Sequence, residues 1–345
     1  ARIVSRPLDR GRPLWEMYVC EGLEQGRIGV ITKMHHATID GVSGAELMAS
    51  FFDLDPAGRD IPRPEDQEPD RVPSEIELVG HAVRSRFEQA LRFMPLVGRT
   101  VSTAATLVQR HRDPDAVVGA VPLTAPRTPW NAAITPHRKV AFAKVALADV
   151  KAVKEHFGAT VNDIVLALVG GTLRRYLEAR DELPDEPLVA VCPISVRAED
   201  DKGVANRVSV MFTTLATQID DCAERVRRIH ETTKGAKDDH RALGADFLTD
   251  WAEFVAPRMF GLATRLYSEL DLANRHRPIH NVVISNVPGP PVPLYFAGAE
   301  LVAAYPMGPV MEGAGLNITV MSYRDGVDIG FMACRETVPD VWDMA

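Results

Sequence analysis

Arg27-Ile28-Gly29-Val30-Ile31-Thr32-Lys33-Met34-His35-His36-Ala37-Thr38-Ile39-Asp40-Gly41 is the stretch on which the fold turns. Ile28, Val30, Thr32 and Met34 recur at period two, the spacing that places side chains on one face of a strand. Residues 15–19 alternate in the same way, and Gly22 to Gly26 separate the two runs, so a hairpin is expected here. His35 and His36 then close the second strand, Gly41 supplies a turn, and Leu47, Met48, Phe51 and Phe52 bring helical spacing to residues 45–52. The histidines therefore sit on a strand-to-helix corner. Trp15, at the start of the first strand, is read as a core residue rather than a site residue.

Outward from this corner the chain divides. Residues 53–75 carry Pro56, Pro62, Pro64, Pro69 and Pro73 among acidic residues and are read as a flexible solvated loop. Ile76, Val79, Val83, Phe87, Leu91 and Met94 form a helical stripe, continued past Pro95 by residues 100–110. Pro114, Pro122, Pro126, Pro129 and Pro136 mark an extended crossover over residues 113–137. This places a first domain at residues 1–112 and a second at residues 138–345.

The second half has an α/β rhythm. Helices are expected over residues 147–157, stopped by Gly158, and over 161–180. Strands are expected over 188–194 and 208–217. Further helices are expected over 220–234 and 245–272, the latter kinked at Pro257. Strands over 282–285 and 301–305 and a hairpin over 317–334, turning at Arg324-Asp325-Gly326, close the chain.

With 46% hydrophobic and 25% charged residues in a chain of 345, the composition is that of an ordinary globular protein with room for a sizeable core. A formal net charge of −8 argues against a nucleic-acid partner, which needs a clustered excess of Lys and Arg. Cys20, Cys192, Cys222 and Cys334 stand far apart with no Cys-x-x-Cys pair, which suggests no zinc site and no disulfide framework and fits a reducing cytoplasm. No run approaches the roughly 18 apolar residues of a membrane span, so any membrane contact is expected to be peripheral. The opening, which enters almost at once into Arg6-Pro7-Leu8-Asp9, reads as the middle of a longer chain.

Adjacent strand residues point to opposite faces, so His35 and His36 cannot readily serve one site together. One is expected to face a cavity and the other to support the backbone. An imidazole titrating near neutrality is suited to take a proton from a hydroxyl as its oxygen attacks a thioester carbonyl. Asp40 is better placed to hold the loop through an arginine, with Arg197 a candidate partner, and Gly41 suits a backbone conformation closed to other residues. Spacing alone leaves three other readings open. The pair is structural; or it binds metal, although it lacks the i, i+4 histidine spacing; or Gly41-Val42-Ser43-Gly44-Ala45 is a hydrolase elbow, although its last glycine is alanine.

His35 to Gly41 resembles the active-site motif of the wax ester synthase/diacylglycerol acyltransferase family, within the superfamily of chloramphenicol acetyltransferase-like and condensation domains. Four further segments resemble that family's blocks in order: Pro7-Leu8-Asp9-Arg10 with Arg12-Pro13-Leu14-Trp15, Asn162-Asp163-Ile164-Val165-Leu166-Ala167, Pro193-Ile194-Ser195-Val196-Arg197, and Ser285-Asn286-Val287-Pro288-Gly289-Pro290. Within the family the chain most resembles the actinobacterial triacylglycerol synthases. The resemblance implies two chloramphenicol acetyltransferase-like α/β domains of mixed sheet plus helices, the N-terminal part of the first being missing.

It also implies an acyl-CoA-dependent O-acyltransferase with His36 as general base and His35 and Asp40 beside it. The substrates implied are long-chain acyl-CoA and either diacylglycerol or a long-chain alcohol, with no cofactor, no metal and a peripheral lipid or membrane surface as partner. Asn162 and Asp163 open an apolar helix after Thr160, where short polar side chains cap amides or line the channel. Ser285 and Asn286 end a strand before a Pro-Gly-Pro turn, where they serve the turn or orient a substrate. The rival classes are a condensation-type acyltransferase of the same superfamily and a non-catalytic lipid-binding relative.

Overall fold

A computed structural model describes residues 1–37, 50–60, 71, 73–113, 116–195, 208–243, 251 and 257–345. The expected hairpin is present: β1 (Trp15–Cys20) pairs antiparallel with β2 (Gly29–Met34), in a register that sets Trp15 against Met34 and Cys20 against Gly29. Trp15 is 54% exposed, so its reading as a core residue is corrected: the hairpin pairs only with itself among the described residues.

The helical stripe after the acidic loop becomes α1 (Glu75–Arg112), opened by a capping box in which Ser74 and Glu77 satisfy each other's backbone amides. It runs unbroken through Pro95, whose ring removes one backbone donor without ending the helix. Leu96 beyond it is buried, but Ile76, Val83, Phe87, Leu91 and Met94 face solvent. The helix that this period predicts is present, with the stripe itself exposed among the described residues. The expected helix over 45–52 falls mostly outside them.

The core lies in the second half. β3 (Arg138–Ala146), α2 (Leu147–Phe157), α3 (Val161–Glu178), β4 (Val189–Ser195), β5 (Val208–Thr214), α4 (Cys222–Leu243), α5 (Pro257–Glu269), β6 (Val282–Val287), the short pair β7 (Tyr295–Phe296) and β8 (Ala299–Glu300), β9 (Leu316–Tyr323) and β10 (Gly326–Cys334) follow in order. Six strands form one mixed sheet in the order β3-β10-β9-β6-β4-β5. β4, β6 and β9 run parallel, and the remaining pairings are antiparallel. β3 was not anticipated; it closes one edge by pairing along the whole of β10.

α2 ends at Gly158, which adopts φ 62°, ψ 25°, the left-handed cap that favours glycine. α3 buries Leu166, Leu173 and Leu177 completely against Leu188, Ile284 and Ile318 of the sheet layer. Each such side chain contributes about 1.5–3 kcal/mol of transfer free energy. No single helix among the described residues is long and apolar enough to cross a bilayer. The apolar content of α3 belongs to this core.

The segment after Leu301, expected as a strand, has no regular structure. Ala304 donates its N–H to the Asp328 carboxylate, and the Pro306 carbonyl lies where a Cβ on Gly330 would be, so the segment crosses β10 as a strap instead of pairing with it. The proline-rich crossover is packed in as well. Trp130 is fully buried and donates Nε1–H to the Asn281 carbonyl, while Arg127 reaches the carbonyls of Asn131, Ala273 and His276.

His280, beside this junction, is 9% exposed, and neither ring nitrogen has a hydrogen-bond partner. Burial holds its pKa down at about 4. Between that value and the ordinary 6.5 the unfolded chain binds the proton and the folded one does not, so stability is lost as pH falls through this window. The expected loss is up to about 3 kcal/mol between neutral pH and pH 4. Thermal unfolding followed across that range in His280→Gln should show a shallower pH slope than in the unmodified chain.

Candidate functional site

Three of the recognised blocks meet at one end of the sheet. α3 begins at Val161 with Thr160 as its N-cap, placing Asn162 in the first turn. β4 and β6 run parallel beside it, bringing Ile194 and Asn286 to the same end. They line a cavity of about 400 Å³ with Cys192, Pro193, Met211, Ile284 and, from α4, Lys237, His240 and Arg241. The carboxyl ends of parallel strands next to a helix N-terminus are where open α/β sheets commonly take ligands.

Asn162 and Asp163, adjacent in sequence, part company here. Asn162 faces the cavity, whereas Asp163 is fully buried beneath it. The Asp163 carboxylate accepts from the Thr160 amide at 2.9 Å and the Thr233 hydroxyl at 2.7 Å, and it meets His230 Nδ1 at 2.8 Å. Burial pushes its pKa upward, but the hydrogen bonds from Thr233, His230 and Thr160 outweigh this and hold it below the usual carboxylate range. Its geometry is that of a bolt between α3 and α4, with its hydrogen bonds directed at protein groups.

Ser285 and Asn286 lie on β6, opposite Thr319 and Val320 of β9. Asn286 lines the cavity; Ser285 is half-buried beside it and is not among the lining residues. The turn that follows is held against β9: Gly289 donates its N–H to Ser322 Oγ at 3.2 Å, and a Cβ there would stand 2.1 Å from the Ser322 carbonyl. Only glycine permits this approach, which anchors the strand end presenting Asn286.

His35 and His36 follow directly on β2, and the turn and helix expected after them fall largely outside the described residues. The His35 N–H donates to the Leu14 carbonyl at 2.9 Å, and its Nδ1 accepts from the Ala37 N–H at 3.2 Å, so His35 is engaged with the backbone of the corner. The His36 side chain is exposed. Neither histidine lines the cavity. Asp40, Gly41, Ser43 and Arg197 fall outside the described residues, and with them the expected Asp40–Arg197 pair.

Lys237, His240 and Arg241 were not anticipated, because the helix was expected to end at Lys234, before Gly235. Gly235 is no stop: a Cβ there would meet the Val117 carbonyl at 2.5 Å, and α4 continues past it to Leu243. The signal that could have found these residues is their i, i+3, i+4 spacing. Cys192 is fully shielded and burial pushes its thiol up to about 12, so it stays protonated and is no nucleophile. No group of three or more His, Cys, Asp or Glu among the described residues could hold a metal ion.

Residues 1–165 match the family model of the wax ester synthase/diacylglycerol acyltransferase catalytic domain, and residues 204–345 match the model of the C-terminal domain of the same family. A protein of Mycobacterium tuberculosis strain H37Rv that carries the provisional name diacylglycerol O-acyltransferase is 38% identical over 344 residues, covering 99% of this chain and 67% of that protein. The chain belongs to the wax ester synthase/diacylglycerol acyltransferase family. A second protein of the same strain and provisional name is 37% identical over 345 residues, covering 99% of this chain and 73% of that protein. Among solved structures, the wax ester synthase/diacylglycerol acyltransferase from Marinobacter aquaeolei VT8 superposes with a TM-score of 0.65 at 31% identity, over 99% of this chain and 70% of that one. The cavity draws on both family models: Asn162 lies within the catalytic match, while Met211, Lys237, His240, Arg241, Ile284 and Asn286 lie within the C-terminal match.

Proposed function

We propose that this member of the family is an acyl-CoA-dependent O-acyltransferase that esterifies diacylglycerol to triacylglycerol, with long-chain alcohols as a second class of acceptor. The observation that carries the proposal is the convergence of Asn162 and Asn286, from two separate family blocks, on one cavity with an apolar floor of Ile194, Met211 and Ile284. Amides on an apolar wall can orient a carbonyl while leaving a hydrocarbon chain in dry surroundings.

In the proposed reaction the His36 imidazole takes the proton of the acceptor hydroxyl as its oxygen attacks the thioester carbonyl. A C–O bond forms, the tetrahedral oxyanion collapses, the C–S bond breaks, and the coenzyme A thiolate leaves with the proton returned by the imidazolium. Atoms and charge balance with proton transfer alone, so no cofactor is invoked. His35 and Asp40 are assigned to the corner that aims His36, with Arg197 and Gly41 supporting it. The engagement of His35 with the backbone of Leu14 and Ala37 supports that division.

Because both acceptors are lipids, the enzyme is proposed to work in the cytoplasm in peripheral contact with a membrane or lipid surface. On α5, Met259, Phe260, Leu262 and Leu266 are exposed, as such contact requires. The test is an assay of the full chain with labelled palmitoyl-CoA and either diolein or hexadecanol. Labelled triacylglycerol is the expected product and a wax ester the secondary one; ester from neither acceptor would sink the proposal.

A further inference from the structure

The chain has a formal net charge of −8, yet two cations, Lys237 and Arg241, stand in the cavity wall beside His240, whose pKa burial lowers so that it serves as a neutral imidazole. Among the described residues its lining includes Lys237, His240 and Arg241 and no acid. Lys237 lies one turn before the adjacent pair His240 and Arg241 on α4, so all three fall on one side of the helix. Of the two acids between them, Asp239 is engaged elsewhere and Asp238 pairs with Arg241 itself. Asp239 is 8% exposed and turned toward α1 and the crossover, where it accepts from Arg110 Nε at 2.9 Å and from the Gly119 amide at 2.8 Å. Asp238 pairs with Arg241 Nη1 at 3.0 Å, leaving the other N–H groups of that guanidinium fork available. Lys237 is half-buried with no ion-pair partner among the described residues. His240 presents a solvent-shielded Nε2 with no hydrogen-bond partner. A buried donor or acceptor left unmade is costly, so a hydrogen bond from a ligand to this nitrogen would be favourable.

We propose that Lys237, His240 and Arg241 form the phosphate-binding wall of the cavity and hold the phosphorylated nucleotide end of the coenzyme A donor. The assignment rests on the acyl-CoA function proposed above. The nucleotide carries a diphosphate and a 3′-phosphate, which suit an ammonium, a guanidinium fork and an imidazole N–H. The pantetheine arm is narrow, uncharged and bears two amides. It fits the inner part of the cavity, where Asn162 and Asn286 offer amide partners over Ile194, Met211 and Ile284. The cavity is thereby divided by chemistry, with phosphates at the α4 wall and the thioester arm along the ends of β4 and β6.

The test compares palmitoyl-CoA with palmitoyl-pantetheine, which lacks every phosphate, as donors for the full chain and for the double variant Lys237→Ala, Arg241→Ala. The variant should lower kcat/KM for palmitoyl-CoA roughly 10²–10⁴-fold more than for palmitoyl-pantetheine, the size of losing two charge-assisted hydrogen bonds. The pair Lys237→Arg, Arg241→Lys should recover most of the preference. Adenosine 3′,5′-bisphosphate, titrated by calorimetry, should bind the alanine variant about tenfold or more weakly. A donor preference and a bisphosphate affinity both unchanged in the alanine variant, while the unmodified chain still makes ester, would overturn the phosphate wall alone. Ester from neither donor in the unmodified chain would overturn the acyl-CoA function and the wall together.

Discussion

His36→Ala is expected to lower kcat for ester formation by about 10²–10⁴-fold, the range contributed by a positioned general base. KM for palmitoyl-CoA should change little, because the imidazole is assigned to the acceptor proton and not to the donor's binding. The matched variant His35→Ala should behave differently. His35 accepts the Ala37 N–H through Nδ1, and losing that bond loosens the corner without removing the base. A smaller fall in kcat is therefore expected, with the shape of the pH–rate profile kept as in the unmodified chain. Steady-state rates with diolein, taken from pH 5 to pH 9 for both variants, separate the two roles. Equal rates for His36→Ala and the unmodified chain would remove His36 from the mechanism.

Asp163→Ala should destabilise the fold by about 3 kcal/mol, since it strands the Thr233 hydroxyl and the Thr160 amide in surroundings closed to water and removes half of a capping box. Chemical denaturation read by far-ultraviolet circular dichroism gives the loss directly. Asp163→Asn keeps the shape and an acceptor oxygen, and should lose less. Because the folded state holds the Asp163 carboxyl below its ordinary range, its stabilising share is fully present above about pH 4 and is lost as pH falls below that. The asparagine variant should therefore show a shallower acid loss. A variant that folds normally but binds acyl donor poorly would instead return Asp163 to the cavity wall.

Much of the architecture was legible because it depends on local periodicity. Gly158 ended α2 as read, the β9–β10 hairpin turned at Arg324-Asp325 between Tyr323 and Gly326, and the β1–β2 hairpin followed from alternation on either side of a glycine-bounded turn. The errors have tertiary causes. Residues after Leu301 carry strand-like residues but are drawn across β10 by Ala304 and Pro306. Gly235 looked like a helix end because a missing side chain can signal either a cap or a close backbone approach, and only the position of Val117 tells which. Trp15 looked like core because large aromatics usually are, yet nothing among the described residues covers its face of the hairpin.

The histidine corner, the order of the family blocks and the α/β rhythm were determined by the sequence alone, since motif chemistry and the periods of helix and strand are properties of neighbouring residues. Which block residues face the cavity was decided only by the tertiary structure. Asn162 and Asp163 share one helical turn, but a residue-to-residue rotation of about 100° sends one into the cavity and the other into the hydrogen bonds beneath it. Lys237, His240 and Arg241 became part of the site only when α4 packed against α3 and β5, a long-range contact that no local pattern encodes.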